Sequence, residues 1–241
     1  MLTQELVLKP IQDAQELVTT YEQMELAEHP FFQYLSIEPL NLGAIWLLTK
    51  NLNAKEAISH NFVRWLAMLI ARVDDNRLRS IMAKQLHHEL GEGDITQIHN
   101  NLLKDLITAL EPWRPANFIE EWLEPGRKMG KCVKQLFVSV EPAYVGIGAL
   151  MVGEICAEQL QLCLGKAIRR QNVIEPSALK WITLHEELEA DHADDSLILS
   201  GLVPNNNEAL TALWQGGNAM YNSITTLLDD LYQIVISIDR S

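Results

Sequence analysis

The chain has 241 residues, 48% of them hydrophobic, enough apolar material for one large core or two small ones. Its formal net charge of −13, with Lys50, Lys55, Arg64, Arg72, Arg77, Arg79 and Lys84 dispersed among acids, excludes attraction to nucleic acid or an anionic membrane through the overall field. Three cysteines, Cys132, Cys156 and Cys163, are odd in number and form no CxxC pair, which argues against a disulfide framework and a zinc ribbon.

The opening stretch MLTQELVLKPIQDAQELV carries acids early and lacks a basic region followed by an apolar run, so the expectation is a cytoplasmic protein without a secretory signal. The longest uncharged stretch, Pro142 to Gly153, falls short of the roughly 18 apolar residues of a membrane span. Between clusters of proline and glycine the apolar residues recur at three and four rather than at two. That period predicts helices over 10–28, 38–50, 54–72, 74–90, 94–110, 116–129, 142–169, 176–199 and 206–237, and hence an all-α bundle. Asp94 is the expected N-cap of its helix, and Pro142 and Pro176 suit first turns. No repeat, low-complexity segment or Pro/Gly-rich linker divides the chain, so residues 1–241 are expected to form a single domain.

Three segments carry chemistry. In HHELGEGDITQIH, residues 87–99, the glycines break the chain between two helices, so that Glu89 ends one helix and His99 falls in the second turn of the next. Glu92 or His88 could take the place of Glu89, and a plain charged corner accounts for the block equally well. Glu154 ends the apolar run AYVGIGALMVG, where an unpaired charge is costly and calls for a cation. Glu158, one turn on, is an alternative inward acid; the bland alternative is that Glu154 opens a polar helix face continuing to Glu158, Gln161 and Lys166. In HEELEADH, steps of three and four place Ile182, His185, Glu189, His192, Ser196 and Leu199 on one helix face. Either histidine alone reads as a surface group; the triple reads as a metal face.

Together the candidates are three carboxylates and three imidazoles, a donor set without thiolate that suits iron or manganese and exceeds what one tetrahedral zinc uses. Two metals about 3.5–4 Å apart under a bridging carboxylate accommodate six such groups, with Glu154 as the bridge. A ferritin-like four-helix site requires two Glu-x-x-His motifs, and this chain has one, Glu189 to His192.

The pattern resembles the haem-oxygenase-like diiron oxidases and oxygenases, whose blocks are a Glu with a Gly-rich corner and a His, a lone Glu in an apolar helix, and a His, a carboxylate and a His at spacings of four and three. ELGEGDITQIH, GEIC and HEELEADH stand in that order over roughly residues 80–200. One departure is Glu189, where the family more often has Asp. The resemblance implies a haem-oxygenase-like bundle of about seven core helices and a site in which Glu89, His99, Glu154, His185, Glu189 and His192 hold two Fe(II) ions that activate O2. It implies a small organic substrate of amino-acid, amine or fatty-acid type, N-oxygenation, desaturation, C–C cleavage or nitrile formation as the outcome, and a place in natural-product biosynthesis. An external electron donor and a homodimer are further expectations of this resemblance. Relatives of the same fold work without metal, among them thiaminase-type and quinone-cofactor-maturing enzymes. A thiaminase needs a nucleophilic cysteine, and Cys132 is the only one outside the Glu154 helix. A non-catalytic helical partner or metal-storage protein is the remaining alternative. Phe62, Trp65 and Tyr144 suit either an apolar pocket or plain core.

Overall fold

The computed structural model describes residues 13–37 and 41–238, with the side chains of residues 171 and 187–194 outside the described set. Among the described residues there are ten α-helices and no strand: α1 (Ala14–Glu22), α2 (Pro30–Leu35), α3 (Leu42–Leu52), α4 (Ile58–Arg72), α5 (Asn76–Glu89), α6 (His99–Leu110), α7 (Glu124–Val138), α8 (Tyr144–Gln171), α9 (Lys180–Leu202) and α10 (Asn207–Ile238). The all-helical expectation holds; the predicted helix starts at residues 10 and 38 lie outside the described residues.

Side-chain caps start several of these helices. Asp13 accepts from the Glu16 N–H, Asn41 from Ala44 and Asp75 from Arg77, each satisfying a donor that the first turn leaves open. Two boundaries differ from the periodicity. The helix predicted over 116–129 is a turn followed by a 3₁₀ segment, Glu120–Leu123, and the α-helix runs Glu124–Val138. Pro125 forces this shift, because proline fits the first turn and breaks an interior one. Likewise Asp94 caps only a 3₁₀ turn, Ile95–Gln97, and α6 begins at His99. His99 is therefore the first residue of its helix rather than a member of the second turn.

Helix α8 occupies the centre. It packs along α10 on one side and α9 on another, with α7 and α1 also against it. Its first half is apolar all round because it is buried all round: Val145, Ile147, Ala149, Met151 and Val152 have no exposed surface. Tyr144–Arg170 is long and apolar enough to cross a membrane by length and composition, and 61% of its most apolar window is buried inside the bundle. Glycines set the spacing of the α8–α10 pair. A Cβ at Gly148 would sit 2.0 Å from the Leu213 carbonyl oxygen, and one at Gly216 would sit 1.8 Å from that of Val145, so the two backbones touch. Around this pair α7, α4, α5 and α9 follow one another as neighbours, with α3 and α6 closing the end.

Candidate metal centre

The corner between α5 and α6 is built by backbone conformations that few residues adopt. Gly91 and Gly93 have φ of 76° and 92°, and Glu92 between them has φ 53°. The first two are free to do so, whereas the left-handed Glu92 costs on the order of 1–2 kcal/mol. Glu92 is held there by His88, whose Nε2 lies 3.1 Å from Glu92 Oε1. The turn lets the chain reverse within ten residues and sets the end of α5 against the start of α6. His99 Nδ1 comes to 3.1 Å from Glu89 Oε1, with both side chains largely buried. Of the three acceptors in the first block, then, Glu89 meets His99, while Glu92 and His88 pair with each other.

Helix α9 brings the third group. His185 Nδ1 lies 2.6 Å from the Trp181 carbonyl oxygen one turn earlier. A carbonyl only accepts, so Nδ1 carries the proton and Nε2 keeps its lone pair, the tautomer that an outer carbonyl imposes on a metal-binding histidine. The Trp181 ring packs edge-on against His185 at a centroid distance of 5.1 Å. Two ion pairs orient the helix. Arg169 of α8 forks onto Glu186, with Nη2 2.6 Å from Oε2, and Lys84 of α5 reaches Asp195 at 2.9 Å. Ile182, Ser196 and Leu199 are buried at either end of the predicted face. Glu189 and His192 lie within the same helix, and their side chains are outside the described residues.

Glu89, His99 and His185 each offer a ligand atom, and these atoms lie within 4.8 Å of one another. The rings of His99 and His185 meet edge-on with centroids 4.7 Å apart. Donors sharing one ion at about 2.0–2.2 Å stand no more than about 4.4 Å apart, so the cluster is within a small closure of ligation. The state of His99 supports that fit: Nδ1 is buried and makes no hydrogen bond, although Glu89 Oε1 is 3.1 Å away. Two groups that approach without aligning as donor and acceptor are placed to share a third, and a nitrogen–oxygen donor set suits iron.

The cluster borders a cavity of about 130 Å³ enclosed by α3 to α10. Glu154 lines it and also borders a smaller void beside Gln85, Asp195 and Ser196, which puts this carboxylate between α5, α8 and α9. It stands outside the three-residue cluster. Glu158 and Gln161 line the same cavity, and Gln161 is only 4% exposed. The reading of Gln161 as part of a solvated face is thus overturned; of that supposed face, Lys166 alone is exposed. An amide set among apolar residues one turn after Glu158 was the signal. Phe62 lines the cavity, whereas Trp65 is core and Tyr144 is partly buried against it.

Cysteine placement also differs from expectation. Cys156, not Cys132, is the cysteine that lines the cavity among the described residues. Burial pushes its thiol up to about 12, which leaves almost no thiolate at neutral pH. Tyr21 and Tyr221 pack together beside it at a ring distance of 5.3 Å, both phenols held above their ordinary value by burial and then by Cys156.

Comparison with known proteins places this geometry. The chain is similar in structure to a CADD-like protein of unknown function from Nostoc punctiforme, with 14% identity and a TM-score of 0.70 over 91% of this chain and 97% of that one. A TenA homologue from Pseudomonas syringae pv. tomato matches at 13% identity and TM-score 0.65, over 91% of each chain. A domain of unknown function with a haem-oxygenase-like fold from Shewanella denitrificans matches at 14% and 0.63, over 92% of this chain and 90% of that one. No curated protein matches. These likenesses establish the haem-oxygenase-like fold. The family model described as an iron-containing redox enzyme matches residues 52–223, a span that holds the corner, Glu154 and the whole of α9. The chain belongs to this family of iron-containing redox enzymes.

Proposed function

We propose that the protein is a non-haem diiron oxidase or oxygenase that activates dioxygen against a small organic substrate. The observation that carries this reading is the convergence of Glu89, His99 and His185 at the wall of an enclosed, mostly apolar cavity. In this reading Glu89, His99, Glu154, His185, Glu189 and His192 hold two ferrous ions, with Glu154 as the shared carboxylate. When bound, the iron pair supplies the electrons and open coordination needed to reduce dioxygen, and an external donor restores the ferrous state.

The chain's own residues do the rest. The Trp181 carbonyl fixes His185 in the tautomer that keeps a lone pair on Nε2. The apolar wall excludes water and orients the substrate at the cluster. Cys156, held as a thiol, does not compete as a nucleophile. That last point also weighs against a thiolate-dependent, metal-free enzyme of the same fold.

The test is iron content and oxygen consumption of the ferrous-loaded protein beside its His185→Ala and His192→Ala variants. The expected result is about two irons per chain, with iron and oxygen uptake lost in both variants. Iron content unchanged by either substitution sinks the ligand assignment, and full turnover in anaerobic, chelator-treated protein sinks the reaction class.

A further inference from the structure

The cavity also carries information about what enters it. Its lining includes three carboxyl groups, Glu89, Glu154 and Glu158, and no lysine or arginine among the described residues. The undescribed side chains at 187–194 add neither, since that stretch reads ELEADHAD. A substrate carboxylate therefore finds no protein cation to pair with. With Glu89 and Glu154 assigned to iron, Glu158 remains as an acid of the cavity wall that the metal reading does not use.

Gln161 stands three residues after Glu158 on the same face of α8. It is 4% exposed, it lines the cavity, and its side-chain oxygen Oε1 is buried with no hydrogen-bond partner. A buried acceptor of this kind is costly unless a donor reaches it, and it is among the few described side-chain atoms left so. Opposite lie apolar surfaces from four other helices, Phe62, Met129, Phe137 and Leu227. The wall thus presents a negative, acceptor-rich end on α8 and an apolar body.

We propose that the cavity selects a small apolar amine, bound as its ammonium with the N–H donors on Glu158 and Gln161 and the hydrocarbon body against Phe62, Met129, Phe137 and Leu227, and that it excludes free carboxylates. The proposal rests on the cavity being the substrate site of the function proposed above. Glu158 supplies a charge-assisted hydrogen bond in a site of low dielectric, where charge complementarity decides between ligands of one shape. Gln161 supplies the neutral acceptor that an ammonium with three donors can use at the same time.

The experiment is calorimetric binding of hexylamine, hexanol and hexanoate to the full chain, once anaerobic and iron-loaded and once chelator-treated. Hexylamine is expected to bind about tenfold or more tightly than hexanol, with no binding of hexanoate, in both preparations. Glu158→Gln is expected to weaken hexylamine about tenfold and leave hexanol unchanged; Gln161→Met weakens hexylamine less, and Gln161→Glu strengthens it. Circular dichroism melts of each variant separate lost binding from lost folding, and the gain expected of Gln161→Glu cannot arise from misfolding. Hexanoate binding as tightly as hexylamine overturns the proposal, as does an affinity unmoved by Glu158→Gln. Hexylamine binding only when iron is present means that the amine ligates the metal, which overturns it too. Loss of iron in Glu158→Gln makes Glu158 a ligand and removes its assigned role. If iron content fails the earlier test while chelator-treated protein still prefers hexylamine, the amine site stands and the diiron reading falls.

Discussion

The two sides of α8 are built on opposite principles. Towards α10 the contact is backbone on backbone, with Gly148 against Leu213 and Gly216 against Val145, and the residues around it are apolar and closed to solvent. Towards α5, α6 and α9 the contact is made by charged and polar side chains: Glu154, Asp195, Lys84, Glu89, His99 and His185. The first side is complete as it stands. The second holds buried atoms without partners, His99 Nδ1 and Asp195 Oδ2 among them, so it gains most from a bound cation. A rigid apolar wall sets the geometry, and the polar wall uses it.

The sharpest way to break this contrast is Gly216→Ala. Its methyl group would meet the Val145 carbonyl oxygen at 1.8 Å, so the helices must separate. The expected loss is on the order of 3 kcal/mol, a fall in Tm of roughly 6–12 °C, read by thermal melts. A Tm within a degree or two of the parent would show that the α8–α10 contact is not the rigid side. Glu89→Gln probes the other wall. It should lower iron affinity by roughly 10–100-fold or more, by metal titration, while the metal-free melting temperature stays close to the parent value. A metal-free protein that unfolds with this substitution would make Glu89 a structural acid.

Arg169→Ala tests whether ion pairs merely orient α9. The Arg169 and Glu186 side chains are 42% and 22% exposed, so screening limits the cost to about 0.5–1 kcal/mol in a denaturant titration. A larger loss would mean that α9 depends on its charges for folding. His29 gives the smallest effect, on the α10 side. Its Nδ1 accepts from the Phe31 N–H, and its Nε2 faces Asp229 Oδ1 at 3.3 Å. Burial holds the ring's pKa below the ordinary 6.5, with Asp229 opposing. A depressed value means stability that is full above 6.5 and lost as pH falls through the folded value. His29→Asn should flatten that shallow acid limb in melts taken across pH 4–7, and an unchanged limb would place the titration elsewhere.

Much of this was legible in the residues. The three- and four-residue period produced α3 to α5 and α8 to α10 within a few residues of their bounds, because an apolar stripe at that spacing can be buried only as a helix. The ELGEGDITQIH corner was readable because glycine is the residue that tolerates the positive φ of its turn. The α7 boundary was missed because Gly126 and Gly130 look like breakers, whereas they are helical positions pressed against the backbone at Asn51 and Glu56. Gln161 was assigned to solvent because an amide among charges looks exposed; only packing against α4, α7 and α10 makes it part of a cavity wall.

By itself, then, the sequence determined the helical class, the identity of the donor atoms and their order along the chain, since these follow from local periodicity and side-chain chemistry. The tertiary structure decided which donors meet. Glu89 rather than Glu92 reaches His99, because the left-handed turn directs Glu92 back to His88. His185 joins them because α9 crosses both α5 and α6. Distances between residues nearly a hundred positions apart depend on how closely helices pack, and that is set by glycine contacts and buried ion pairs far from the ligands themselves.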